Sequence, residues 1–301
     1  MCLREVTFEE TTSILMNEFE RRDRLWREVQ KFPLAEVSPS YIRKKYIYRG
    51  QAGIYTNKEI TSSLTADSSG VAVSILHTGK HYPDELTSDG MIYHYPKTNR
   101  PKSHDINEII ATKNAEHLGL PIFVILPGKV GSLREVKLGW VIDYDDKAEV
   151  FLIDFSKDKP PYDYRKKDEP FQLILKGHGN TTRTKTRPNQ HKFQFDVYKN
   201  YGCKCAVCDI TIKDILDAAH IRGKKDNGSD DWRNGILLCK NHHKSFDSGL
   251  FKIDPISLEI KFSEKVNKNE IKISEKRLVT ATGKTPHIDA LTWKWKNEKL
   301  N

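Results

Sequence analysis

Between residues 8 and 30 the apolar positions Ile14, Leu15, Phe19, Leu25, Trp26 and Val29 recur at roughly helical spacing, with acids early and arginines late, as the helix dipole favours. This predicts an amphipathic helix inside a helical segment of residues 1–44. From about residue 45 the period changes. Short apolar runs ("YIYRGQAGIY", "GVAVSILH", "GMIYHY", "PIFVIL", "EVKLGWVIDYD", "AEVFLIDF") alternate with Gly, Pro and Asp, the texture of a mostly β domain over residues 45–156. One stretch, "DINEIIATKNAEHLG" at 105–119, interrupts it and predicts a helix with Ile106, Ile109 and Ile110 on one face and Gly119 as its stop.

Apolar periodicity then fades, and residues 157–186 read as a basic linker rich in Pro, Gly and charge, leading into the basic run Arg183 to Lys192. A second domain is predicted over residues 187–301. In it "FQFDVYKNYG" forms a short helix, and "DWRNGILLCKNHHKSFDSGLFKID" reads as turn, strand, helix, glycine stop and strand. The fold class is α+β.

The length of 301 residues exceeds one typical core and agrees with two domains. Lys and Arg number 50 against 41 Asp and Glu, a net charge of +9 that favours a polyanionic partner, nucleic acid first. No run of 18 apolar residues exists, and "MCLREVTFEETT" carries charges where a signal peptide needs an apolar region, so no membrane association and a cytoplasmic location are expected. The cysteines are Cys2, Cys203, Cys205, Cys208 and Cys239, an odd set mostly in one region, which favours metal over disulfides.

Cys205 and Cys208 enclose two residues, and Cys239 and His242 repeat that spacing, giving four donors suited to tetrahedral Zn²⁺. With every position filled by protein, such an ion staples the domain and performs no chemistry. Cys203 is a spare thiol. His220, Asn234, His243 and Asp247 then lack an explanation. His243 and Asp247 lie four apart on the predicted helix, hence on one face, where they suit a hard divalent ion, and an opposing imidazole takes a proton from water near neutral pH.

The segments "AAHI", "NGILL" and "HHKSFD", with the lead-in "RPNQHKFQFDVYKNYGCKCAVC" and the trailing "SGLFKID", resemble the HNH, or ββα-metal, nucleases over residues 187–255. The tail "TGKTPHIDALTWKWK" is similar to the end of HNH restriction endonucleases. The resemblance implies two strands and a helix around one catalytic Mg²⁺ or Mn²⁺. It makes His220 the general base, Asn234 the residue fixing the loop that orients it, His243 a metal ligand and Asp247 a second ligand on the helix. Ala219 stands where the family usually carries the strand-side ligand. Asp217 is the nearest substitute, although strand alternation sets it opposite His220, so that a twist or bulge is expected to bring it to the ion.

In the first domain, "YIYRGQAGIYTNKE" and "GVAVSILHTGKHYPDELTSDGMIYHYP" resemble the SRA domain, a PUA-like, barrel-type fold that flips modified cytosine out of DNA. The resemblance implies base contacts from Tyr82, Asp84 or Glu85, and Tyr95. The loop "YPKTNRPKSHD" suits phosphate contacts. Together these features predict a modification-dependent, type IV-like restriction endonuclease acting on duplex DNA with 5-methylcytosine or 5-hydroxymethylcytosine, as in invading phage. A homodimer is expected, since a double-strand break needs two nicks. The rivals are a conventional HNH restriction endonuclease reading an unmodified sequence and a non-catalytic zinc module that binds nucleic acid.

Overall fold

A computed structural model describes residues 8–50, 53–77, 86–158, 160, 170–174, 190–266 and 268–300. Contacts divide the chain into two units, Met1–Tyr144 with Phe151–Tyr162, and Asp145–Val150 with Asp163–Asn301.

The first unit opens with helix α1 (Phe8–Val29), followed by β1 (Glu36–Val37) and α2 (Pro39–Lys44). Ser38 caps α2, its hydroxyl accepting from the Tyr41 amide at 3.2 Å, and Pro39 fills the first helical position, where no donor is needed. Then come β2 (Gly53–Thr56), α3 (Lys58–Thr61), β3 (Ala72–Leu76), β4 (Gly90–His94), α4 (Lys102–His117), β5 (Ile122–Pro127), β6 (Arg134–Asp145) and β7 (Val150–Asp154). The strands order as β2-β3-β5-β6-β7-β4, with β1 added on β6. The pair β3–β5 is parallel while β2–β3 and β5–β6 are antiparallel, so the sheet is mixed. The path of pairings runs from β2 to β4 and is open among the described residues; the barrel-type closure expected from the strand texture is not seen there.

Strand β5 explains why the strands read as continuous apolar runs. Ile122, Val124 and Leu126 enter the core cluster shared with Ala111 and Ala115 of α4, while Phe123 and Ile125 enter the cluster shared with Leu25 and Val29 of α1. A strand covered by helices on both faces needs apolar residues at both alternations. Helix α1 is therefore an integral part of the first unit.

Two details depart from the sequence pattern. On α1, Phe19 is 39% exposed, whereas Arg22 is fully buried and ties the helix to the sheet. Its Nε donates to Glu18 Oε1 at 2.6 Å, and its Nη1 donates to the carbonyls of Ala72 and Pro121 at 2.9 and 2.7 Å. On α4, Ile106 is 53% exposed, and the buried positions are Asp105, Ala111, Thr112 and Ala115. Small side chains let this helix approach the sheet closely, which larger isoleucines on that face would prevent.

The buried Glu18–Arg22 pair yields a pH prediction. Burial raises the Glu18 pKa, but hydrogen bonds and charges from Arg21 and Arg22 outweigh it and hold the carboxyl below its ordinary value. The unfolded chain therefore takes up the proton first, and stability is lost as pH falls below about 5. Amide hydrogen exchange of α1 should accelerate over that range. Glu18→Gln should cost about 3–5 kcal/mol at neutral pH and flatten the acid response, because it strands a buried guanidinium.

The second unit contains α5 (Gln190–Tyr201), β8 (Leu216–His220), β9 (Gly235–Cys239), α6 (Lys240–Asp247), β10 (Phe251–Ile253), β11 (Ile260–Phe262), α7 (Lys268–Ile271) and α8 (Ile288–Asn297). β8 and β9 pair antiparallel, Leu216 opposite Cys239 and His220 opposite Gly235, and α6 follows β9 without a loop. Helix α5 packs so closely on β9 that a Cβ at Gly235 would lie 2.5 Å from Val197 and 2.8 Å from the Phe193 ring. Gly249, at φ 68°, adopts the left-handed conformation that ends α6. No helix among the described residues is long and apolar enough to cross a membrane.

Candidate active site and metal centre

The zinc donors come from three places that the ββα hairpin joins. Cys205 and Cys208 lie in the loop after α5, Cys239 ends β9, and His242 sits in the first turn of α6. All four are buried, and their donor atoms lie within 4.8 Å of one another. Tetrahedral zinc with Zn–S bonds of about 2.3 Å sets its donors about 3.8 Å apart, so this cluster fits the ion. His242 Nδ1 lies 3.5 Å from Cys205 Sγ and 3.2 Å from Cys239 Sγ, while Nε2 donates to the Ile271 carbonyl at 2.7 Å. That outer hydrogen bond places the proton on Nε2 and leaves Nδ1 free to ligate. A hydrogen bond from the Cys205 thiol, reinforced by His242, pushes the Cys239 thiol down to about 4, and the same sharing pushes Cys205 up. The cluster therefore holds thiolate character of the kind a metal takes. Cys203 stands outside it.

A second cluster lies on the face of β8 turned towards α6. Asp217 Oδ2 lies 3.3 Å from His243 Nδ1, and Asp247 Oδ2 lies 3.5 Å from His243 Nε2. Both imidazole nitrogens thus face carboxylates. Burial opposes protonation of His243, but the hydrogen bond to Asp217 and the charges of Asp247 and Asp217 outweigh it and raise its pKa. The two carboxylates meet opposite nitrogens of one ring, so a hard divalent cation would take His243 with one of them, and water in its remaining positions.

His220 ends β8 on the other face. Its ring stacks on Phe193 of α5, with centroids 3.9 Å apart and planes 12° from parallel, and its Nε2 lies 3.1 Å from Asp230 Oδ1. Asp230 also pairs with Lys224 Nζ at 2.6 Å. Burial raises the Asp230 pKa, yet the hydrogen bonds to His220 and Lys224 bring it below the ordinary value. The carboxylate is thereby kept charged beside the imidazole. β8–β9 pairing shows no register shift, so Asp217 reaches His243 by plain alternation, and the bulge expected from the sequence is not needed.

Asn234 is fully buried and clasps the loop after His220. Its side-chain oxygen accepts from the Arg222 amide at 2.9 Å, its Nδ2 donates to the carbonyls of Arg222 and Ser229 at 3.1 and 3.0 Å, and its backbone carbonyl accepts from the Ile221 amide at 2.8 Å. The structure thus gathers Asp217, His243 and Asp247 in one group and His220, Asp230 and Lys224 in another, on opposite faces of one strand. Sequence reasoning missed Asp230, Lys224 and Phe193. Phe193 read as an ordinary helix position, and the spacing of Lys224 and Asp230 carried no signal of its own.

Of the base-contact residues expected in the first unit, Tyr82, Asp84 and Glu85 lie outside the described residues, as does the basic run up to residue 189. Tyr95 is 7% exposed and packs in the core, its ring centroid 4.5 Å from that of Phe151. In the loop expected to meet phosphate, Arg100 is held internally, by Glu108 at 2.8 Å and Asp105 at 3.1 Å.

The chain matches no curated protein. Among solved structures it is similar to a modification dependent TagI restriction endonuclease, at 22% identity and a TM-score of 0.33, over 85% of this chain and 89% of that one. Residues 205–254, which span the zinc donors, β8, β9, α6 and β10, match the family described as HNH endonuclease, and the second unit carries an HNH endonuclease domain.

Proposed function

We propose that the chain is a modification-dependent endonuclease that cuts duplex DNA carrying 5-methylcytosine or 5-hydroxymethylcytosine, working as a homodimer. The nuclease reading rests on one observation: Asp217 and Asp247 flank the two ring nitrogens of His243 within the segment that matches the HNH family. His220 takes the proton of the attacking water, and Asp230, anchored by Lys224, holds the imidazole and stabilises its charged form. The His220 side chain is 16% exposed at the end of β8. Asn234 keeps the adjoining loop from displacing it. His243, with Asp217 or Asp247, would hold Mg²⁺ or Mn²⁺, which would supply positive charge to a phosphate. The Cys205–Cys208–Cys239–His242 set would hold Zn²⁺, which would stabilise the fold. Preference for modified cytosine rests on the SRA-like sequence features of the first unit.

The test is cleavage of one DNA fragment prepared with cytosine, 5-methylcytosine or 5-hydroxymethylcytosine, in Mg²⁺ and in Mn²⁺. Cutting confined to modified DNA is expected; equal cutting would discard modification dependence, and binding with no cutting would favour the non-catalytic zinc module. Asp217→Asn should slow cleavage about 10- to 100-fold, with partial recovery at raised Mn²⁺, as for a weakened metal site. Unchanged kinetics in that variant would remove Asp217 from the ligand set.

A further inference from the structure

Residues 170–174 fall in the stretch whose composition reads as a linker, yet they pair with the loop that carries Asp230. Ile174 forms an antiparallel bridge with Gly228, and the Leu173 carbonyl accepts from the Ser229 amide at 3.2 Å. Ser229 immediately precedes Asp230, and its own carbonyl accepts from Asn234 Nδ2 at 3.0 Å. Both backbone groups of that residue are thus bonded, one by the buried asparagine and one by this segment. A Cβ at Gly228 would collide with the Arg222 carbonyl, so the loop has no slack on that side.

Phe171 anchors the segment. Its ring stacks on that of His287, with centroids 3.9 Å apart and planes 14° from parallel, and the Arg233 guanidinium lies 5.3 Å from its centroid, within cation–π range. His287 caps α8, its Nδ1 accepting from the Asp289 amide at 3.2 Å, and its own amide donates to the Arg233 carbonyl at 2.8 Å. Arg233 in turn pairs with Asp231 at 2.6 Å. The residues on either side of Asp230 are therefore both tied to the segment, Ser229 through Leu173 and Asp231 through Arg233 and the Phe171 ring.

We propose that Phe171 positions the general base, by anchoring a strap that fixes the loop so that Asp230 stays on His220. This rests on the reading of His220 as the base. Asp230 Oδ1 lies 3.1 Å from His220 Nε2. A carboxylate orients an imidazole only within hydrogen-bond reach, and a displacement of about 1 Å in a catalytic constellation costs up to about 10²-fold in rate. Phe171 is a positioning residue that acts through Asp230, and Asn234 holds the same loop from within.

The test is single-turnover cleavage at saturating DNA by the full chain, in the wild type, Phe171→Ala, Phe171→Tyr, Asp230→Ala and the double variant Phe171→Ala with Asp230→Ala. Phe171→Ala should cleave about 10- to 100-fold more slowly with its Kd for DNA within about twofold of the wild type, and Phe171→Tyr, which keeps the stacking ring, should restore the rate. In the Asp230→Ala background Phe171→Ala should cost less than about twofold more, because its effect passes through the carboxylate already removed. Amide exchange at Ser229 should accelerate in Phe171→Ala while that of β9 stays unchanged. If β9 opens as well, the smaller change Phe171→Leu is carried through the same cycle and decides the matter. A wild-type rate in the Phe171 variant, or a loss that multiplies with that of Asp230→Ala, would overturn the positioning role and leave His220 as the base. A fully active His220→Ala protein, or a wild-type chain that cuts no DNA, would instead overturn the nuclease mechanism and this inference together.

Discussion

His220→Ala is expected to bind DNA within about twofold of the wild-type affinity and to cleave it about 10²- to 10⁴-fold more slowly, the range lost with a general base. The two effects separate because His220 is not among the candidate ion ligands, His243, Asp247 and Asp217. Removing the imidazole also removes its stack on Phe193, so the variant's Tm must be measured alongside to exclude loss of fold. Asp230→Asn serves as the positioning control. It should reduce cleavage less and move the acid limb of the pH–rate profile to lower pH, because His220 loses the carboxylate that favours its protonated form. Full activity in a pure, folded His220→Ala protein would end the mechanism proposed here.

Loss of the zinc cluster should have the largest effect on stability. Structural zinc contributes about 10–16 kcal/mol of apparent binding free energy in small domains, against a usual domain stability of about 5–15 kcal/mol. Cys208→Ala should therefore lose the metal, by elemental analysis, together with the cooperative thermal transition of the second unit. Cys203→Ala should keep both, because Cys203 lies outside the cluster. A zinc-free Cys208→Ala protein with a wild-type transition would show that the apolar core suffices and that the cluster is no staple.

Much of the second unit was legible because its chemistry depends on short spacings. The two-residue gaps in Cys205–Cys208 and Cys239–His242 bring together four donors that could hold a metal, and α6 places His243 and Asp247 together by its own period. Alternation along β8 likewise separated Asp217 from His220 correctly. What it could not tell is that the side away from His220 is the one α6 covers, a fact of packing.

Arg22 was illegible for a related reason. Its acceptors, the carbonyls of Ala72 and Pro121, lie 50 and 99 residues away, so the local pattern on α1 marks it as a surface charge. On α4 the isoleucines carried the apolar signal; Ile109 does pack against the core cluster, while the buried positions are Asp105 and the small residues Ala111, Thr112 and Ala115. Tyr95 shows the limit of resemblance. Its place at the end of an apolar strand fits a stacking residue equally well as the core position it occupies against Phe151.

His242 and His243 are consecutive on α6, one in the zinc cluster and the other between two carboxylates. Successive residues of an α-helix are about 100° apart around its axis, so a metal held by the cluster would also set the angle at which His243 meets Asp217 and Asp247. The two sites cannot drift independently through insertions or deletions: one residue added between these histidines would leave the zinc donors in place and swing His243 out of register with Asp217. In this domain the cysteine–histidine cluster and the His243 carboxylate pair are indexed by a single screw.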